Sequence, residues 1–99
     1  MAKRKIIWSH KARIKLFDIL LYYSARNQNK TYSRKLYLKI NREIKLLVKQ
    51  PEIGILTSDE SIRGLIVDDY IIFYESQPER IIIHTIWDCR QNPDDLRIK

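Results

Sequence analysis

Glycine and proline are scarce, at two and three of 99 residues. So little turn-forming composition excludes a collagen-like, linker-like or disordered chain, and a 44% hydrophobic content supplies apolar surface to offset the entropy of ordering. The single cysteine, Cys89, rules out an intrachain disulfide and has no second thiol at the spacing of a zinc site. That usage suits a reducing cytosol, with a half-buried structural thiol as the ordinary reading. Long apolar runs are also missing. After Met1-Ala-Lys-Arg-Lys, the run Ile6-Ile7-Trp8 stops and charge resumes at His10-Lys11, so neither a signal peptide nor a membrane span is expected. His10 and His84 lack the neighbours that a metal site needs, and neither metal nor cofactor is expected.

Acidic residues are nearly absent from the first half. Residues 1–50 hold 14 Lys/Arg against Asp18 and Glu43, whereas residues 51–99 hold 5 Lys/Arg against 10 Asp/Glu. The halves therefore carry about +12 and −5. Such polarity favours an acidic protein or a phosphate backbone as partner and speeds encounter with either. A well-solvated helical surface is the plain alternative.

The length fits one domain, 1–99, with one core, and no repeat or linker divides it. Lys5-Ile-Ile-Trp8 reads as a short strand, followed by Ser9 as a helix N-cap. Ala12, Leu16, Ile19, Leu20 and Tyr23 then recur at helical spacing to about Arg26. Asn27-Gln-Asn-Lys30 breaks the pattern, and Thr31 suits a second cap. Tyr32, Leu36, Ile40, Ile44, Leu47 and Val48 form a second stripe that Pro51 ends. Two helices joined by so few residues should pack as an antiparallel hairpin. Arg34, Lys35, Lys39, Arg42 and Lys45 fall on its outer faces.

After a loop around Gly54 to Glu60, β-branched and aromatic residues take over in Ile62–Val67, Tyr70–Tyr74 and Ile81–Trp87. The polar breaks Asp68-Asp69 and Ser76-Gln-Pro-Glu79 imply tight hairpins between them. The order is β-α-α-β-β-β, an α+β fold with a helical hairpin packed on a twisted antiparallel sheet. In the last strand, strict alternation puts Ile81, Ile83, Thr85 and Trp87 on one face and Ile82, His84 and Ile86 on the other. Both faces are then apolar, so the one away from the helices needs a cover: the chain's own tail or a loop, a groove's contents, or a partner.

Several of these segments, in this order, resemble the RelE/ParE toxin superfamily of type II toxin–antitoxin systems. They are Ile6-Ile-Trp-Ser9 with Ala12, Ile19 to Tyr23, Gln50-Pro-Glu-Ile-Gly54, and Ile62-Arg-Gly-Leu-Ile-Val67 before Asp69-Tyr-Ile-Ile-Phe-Tyr74. The run from Ile83 to Trp87 into Asp88-Cys-Arg90-Gln-Asn-Pro93 completes the match. The resemblance implies a cytoplasmic growth-inhibiting toxin encoded beside an acidic antitoxin that wraps it, as a heterotetramer or with a toxin homodimer. It leaves two targets open: RelE-like members cut messenger RNA on the ribosome, and ParE-like members poison DNA gyrase.

RNA cleavage through a 2′-hydroxyl needs a proton acceptor, a proton donor and a cation for the phosphate. Arg63 and Arg90 are candidate phosphate holders, Tyr70 and Tyr74 candidate stacking or donor groups, and His84 with Glu75 a candidate proton-exchanging pair. Each also has an ordinary use; Arg63, for example, suits an ion pair with Glu60 or Asp88. The resemblance to the cleaving branch is incomplete. Its strand arginine meets Ile71, and its terminal His-Tyr or Tyr meets Gln91-Asn92-Pro93, with Arg90 alone retained. This favours the ParE-like branch and a binding surface formed by Arg34, Lys35, Lys39, Arg42, Lys45, Arg63, Trp87 and Arg90. A non-toxic basic nucleic-acid-binding module is the third reading.

Overall fold

The computed structural model describes residues 4–98, so the charged start at Met1 to Lys3 lies outside them. Its elements are β1 (Lys5–Trp8), α1 (His10–Asn27), α2 (Thr31–Lys49), β2 (Ile55–Leu56), β3 (Ile62–Val67), β4 (Tyr70–Ser76), β5 (Arg80–Asp88) and a 3-10 turn at Pro93–Asp95. The expected α+β order is present, with one addition. Ile55 and Leu56, expected in a loop, pair with Gly64 and Arg63 as a short edge strand. The sheet runs β1-β5-β4-β3-β2. It is mixed rather than wholly antiparallel, because β1 lies parallel to β5. The helical hairpin carries the chain from β1 to the far edge, and three hairpins bring it back, so the returning β5 meets β1 in the same direction.

Ser9 starts α1 as expected. Its hydroxyl accepts from the Ala12 N–H at 3.0 Å, satisfying one of the helix's orphan donors, and donates to the His84 carbonyl at 2.8 Å. Thr31 does not cap α2. The N-cap is Lys30, without a side-chain bond, and the Thr31 N–H is bound instead by the Asn29 side chain at 3.1 Å. The turn before it closes through Gln28, which takes the left-handed conformation at φ 55°. The hairpin is locked where Ser33 donates to the Leu20 carbonyl at 2.8 Å and shares a 2.9 Å bond with Ser24.

Leu36, Ile40, Ile44 and Leu47 from α2 meet Ala12 and Tyr23 of α1 and the sheet residues Leu65, Val67, Ile72, Ile81, Ile83 and Ile86 in one core. Strict alternation in β5 fails at His84. Phe73 pairs with Thr85 while Tyr74 pairs with Ile83, which leaves His84 as an extra residue in a β-bulge. Parity reverses there, so Ile86 joins Ile81 and Ile83 on the helix side, and Trp87 turns to the opposite face. On that face Ile62, Phe73 and Trp87 form a second cluster, covered by Leu96 and Ile98 of the C-terminal tail. The tail therefore serves as the cover that the apolar face required, and Lys11 holds it by donating to the Arg97 carbonyl.

Replacing Ser9 with Ala removes the cap and the bond to the bulge together. The expected loss is about 1 to 2 kcal/mol of unfolding free energy, measured by urea denaturation; an unchanged midpoint would show that Ser9 joins nothing.

Candidate functional site

The candidate catalytic residues singled out from the sequence occupy three separate places, apart from the cations of α2. At the β2 edge, Arg63 Nη1 donates to the carbonyls of Glu52 (3.2 Å) and Gly54 (2.9 Å) rather than pairing with Glu60 or Asp88. Its cross-strand neighbour is Tyr74. The Tyr74 hydroxyl donates to the Pro51 carbonyl at 2.8 Å and accepts from the Gly54 N–H at 2.9 Å. Together the two side chains pin the Pro51–Gly54 turn that follows α2. Gly54 is required there, since a Cβ would stand 2.6 Å from the Tyr74 hydroxyl oxygen. Burial raises the Tyr74 pKa above the ordinary tyrosine value, against the opposing pull of the Gly54 N–H and Arg63.

Arg90 lies at the other end of β4. The facing residues of β4 there and at the first place, Tyr70 and Tyr74, are four positions apart, about 13 Å along a strand. Arg90 grips Asp88 through Nε and Nη2, both at 2.9 Å. Its Nη2 also donates to the hydroxyls of Tyr23 (3.2 Å) and Tyr70 (3.4 Å). Tyr70 in turn donates to Tyr23 at 3.1 Å, and the guanidinium carbon stands 6.0 Å from the Tyr70 ring centre. The bonds from Arg90 hold Asp88 below the usual carboxylate range. Burial, with the Tyr23 contact, pushes Tyr70 well above the usual tyrosine range. Beside this cluster a cleft of about 430 Å³ opens between α1 and the sheet, lined by Lys15, Asp18, Ile19, Tyr22, Tyr70 and Arg90 among others. Tyr23 was not singled out from the sequence, because its helical spacing marks it only as core.

His84 is on the tail side of the sheet, where its Nε2 lies 2.9 Å from Glu75 Oε1. The anticipated His84 and Glu75 neighbours do meet, but across the sheet from both arginine sites. Trp87 is buried under the tail and presents no contact surface. Cys89 is exposed rather than half-buried. Local desolvation and the carboxylates of Asp88 and Asp69 raise its thiol pKa. Among the described residues no cluster of three metal-binding side chains occurs, and no helix is long and apolar enough to cross a membrane.

The helical hairpin carries a surface that the sequence reading passed over. Ile14, Phe17 and Leu21 lie on the outward side of α1, with Phe17 62% exposed and Leu21 51% exposed. Next to them an apolar groove of about 300 Å³ runs between the helices, lined by Trp8, Arg13, Leu16, Phe17, Leu20, Tyr37 and Asn41. The signal was present in the sequence. Ile14, Phe17 and Leu21 follow i, i+3, i+7 spacing opposite the core stripe, so α1 is apolar on two sides.

The family model described as the ParE toxin of the type II toxin–antitoxin system parDE matches residues 6–93. The chain belongs to the ParE toxin family. Like other ParE-family chains it is thus the toxin component of a type II toxin–antitoxin system, a class that implies a cognate antitoxin. No curated protein sequence matches it. The fold resembles a solved chain of the chromosomal ParDE toxin–antitoxin system from P. aeruginosa, with a TM-score of 0.69 at 18% identity over 85% of this chain and 94% of that one. The ParE family match spans all three places described above, and the likeness to the solved chain extends to the fold alone.

Two outcomes follow from the bonding. Tyr74→Phe leaves the buried Gly54 N–H and the Pro51 carbonyl without their partner, and should cost about 1 to 3 kcal/mol in chemical denaturation. For the Arg90 cluster the pH signs are opposite at the two ends. The folded Asp88 pKa is depressed, so its stabilisation is present above the unfolded value of 3.8 and is lost as pH falls through the lower folded value. The Tyr70 pKa is raised, so its contribution is intact below the ordinary value of 10.0 and is lost as pH climbs beyond it. Unfolding followed against pH should show both declines, and Arg90→Ala should flatten the acid one; an unaltered acid limb would remove Arg90 as its cause.

Proposed function

We propose that this ParE-family toxin inhibits growth in the cytoplasm by binding DNA gyrase, and that a cognate acidic antitoxin neutralises it. The observation that carries the choice of binding over RNA cleavage is the dispersal of the candidate catalytic groups. Arg63 and Tyr74 are committed to the Pro51–Gly54 turn, Arg90 and Tyr70 to the Tyr23–Asp88 cluster, and His84 to Glu75 on the opposite face. General acid, general base and phosphate-holding cation must all lie within hydrogen-bond reach of one reacting phosphate, and these groups do not converge on one point. Dispersal of this kind supports an interaction surface made of the helical hairpin and the C-terminal stretch, with the Arg90 cluster tying the two together.

The antitoxin's seat is assigned to the hairpin groove. Its apolar lining and the exposed Phe17 and Leu21 suit an amphipathic helix, and the basic first half suits an acidic one.

Expression of the chain alone should cause filamentation and gyrase-dependent DNA breaks, and purified toxin should inhibit supercoiling. Rapid loss of translated messenger RNA at cut sites that vanish in Arg90→Ala would establish the ribonuclease reading instead. Phe17→Asp should weaken antitoxin binding by roughly 30-fold or more, about 2 kcal/mol for a buried aromatic anchor, in calorimetric titration. An unaltered affinity would move the antitoxin to another surface.

A further inference from the structure

Five cations, with the exposed Leu38 and Leu46 among them, line the outer face of α2. Lys35, Arg42 and Lys49 recur every seven residues opposite the buried Leu36, Ile40, Ile44 and Leu47, with Arg34 and Lys45 beside them. All five are exposed. From Arg34 to Lys49 the row spans about 22 Å at 1.5 Å per residue. Among the described residues none of the five enters an ion pair, whereas Lys39, turned toward the sheet, is bonded to Asp68 at 2.5 Å. Glu43, the sole acid in the helix, is half-buried and off the row.

The helix dipole accounts for Lys45 and Lys49 near the C-terminal end of α2 but not for the cations toward its start. The N-terminal end of a helix carries partial positive charge and is ordinarily lined with acids. In α2 the first turn has none, the N-cap is Lys30, and Arg34 and Lys35 come after Thr31-Tyr32-Ser33. Cations at that end raise the electrostatic energy of the isolated protein, and an external polyanion lowers it.

We propose that the outer face of α2, one side of the hairpin surface described above, binds the phosphate backbone of duplex DNA without sequence preference, a ligand beyond the gyrase and antitoxin of that reading. Three observations select the occupant. Protein–protein interfaces are depleted of lysine at their centres, and the apolar groove suited to a protein lies at the Phe17 side of the hairpin. Nucleic-acid interfaces are strongly basic. Single-stranded nucleic acid is gripped by stacking aromatics, and the row contains none: the exposed Phe17 and Tyr22 are on α1, while Tyr32 and Tyr37 of α2 lie toward α1. Five cations held on one rigid helix, interrupted by leucine rather than by aromatics, match the fixed phosphates of a duplex.

The test is fluorescence anisotropy of the full-length chain with a labelled 20-base-pair duplex of arbitrary sequence, without gyrase or antitoxin, across 50 to 200 mM salt. It is thereby independent of whether gyrase is the target. Five phosphate contacts give a slope of log K against log salt of about −4.5, or roughly a 500-fold loss of affinity over that range. The double variant Lys35→Gln/Arg42→Gln should reduce the slope to about −2.7. Lys5→Gln/Arg80→Gln, with the same net charge but altered at the β1–β5 edge, should keep it. Circular dichroism and the melting temperature confirm folding of each. The proposal is overturned if the duplex does not bind, if both variants lose slope equally, or if single-stranded RNA of the same length binds as tightly. It is also overturned if Lys35→Gln/Arg42→Gln retains the duplex and loses the antitoxin, which would assign the row to that partner.

Discussion

Strand β5 lies between β1 and β4 and is apolar on both sides, so every other packing choice depends on which of its side chains goes to which face. The bulge at His84 makes that choice. Before it, Ile81 and Ile83 enter the helix-side core; after it, Ile86 takes their place and Trp87 is handed to the tail. Without the extra residue, Ile86 would face the tail and Trp87 the helices, each in a space shaped for the other. The bulge also turns the His84 carbonyl to Ser9, so the irregularity in β5 is tied to the first turn of α1.

From that arrangement the polar groups divide. Several are used to hold turns and strand ends: the buried Tyr74 with the half-buried Arg63 at the end of α2, and the buried Tyr70 and Tyr23 with the exposed Arg90 at the end of β5. Side chains engaged in bonds to the chain's own backbone, as Tyr74 and Arg63 are, or to one another, as Tyr70, Tyr23 and Arg90 are, have less capacity left for a substrate. The helices present two further kinds of accessible surface, an apolar groove beside Phe17 and a row of cations along α2. A chain of this size thereby presents chemically distinct surfaces on its helices.

The charge division between halves has a structural counterpart. The basic half is the helical layer, and the acidic residues fall mainly in the turns and tail of the sheet layer. Where the two meet, Lys39 reaches Asp68 in the β3–β4 turn. That contact lies at the protein's surface, where screening by solvent keeps an ion pair weak; the layers are joined by apolar packing.

Period and punctuation in the sequence determined the elements. The 3.6-residue stripes of Leu36, Ile40, Ile44 and Leu47, the Ser9 cap and the Asp68-Asp69 turn act over neighbouring residues, and they are legible for that reason. The family resemblance was legible too, because it rests on the order of such local segments. Tertiary structure alone decided the face of Trp87, since a one-residue bulge reverses parity without any compositional mark. It alone decided that Arg63 serves the backbone of Gly54 and that Arg90 joins Tyr23, residues 67 apart in the chain. Such contacts depend on which strands become neighbours, and that is a property of the packed sheet rather than of any stretch of sequence.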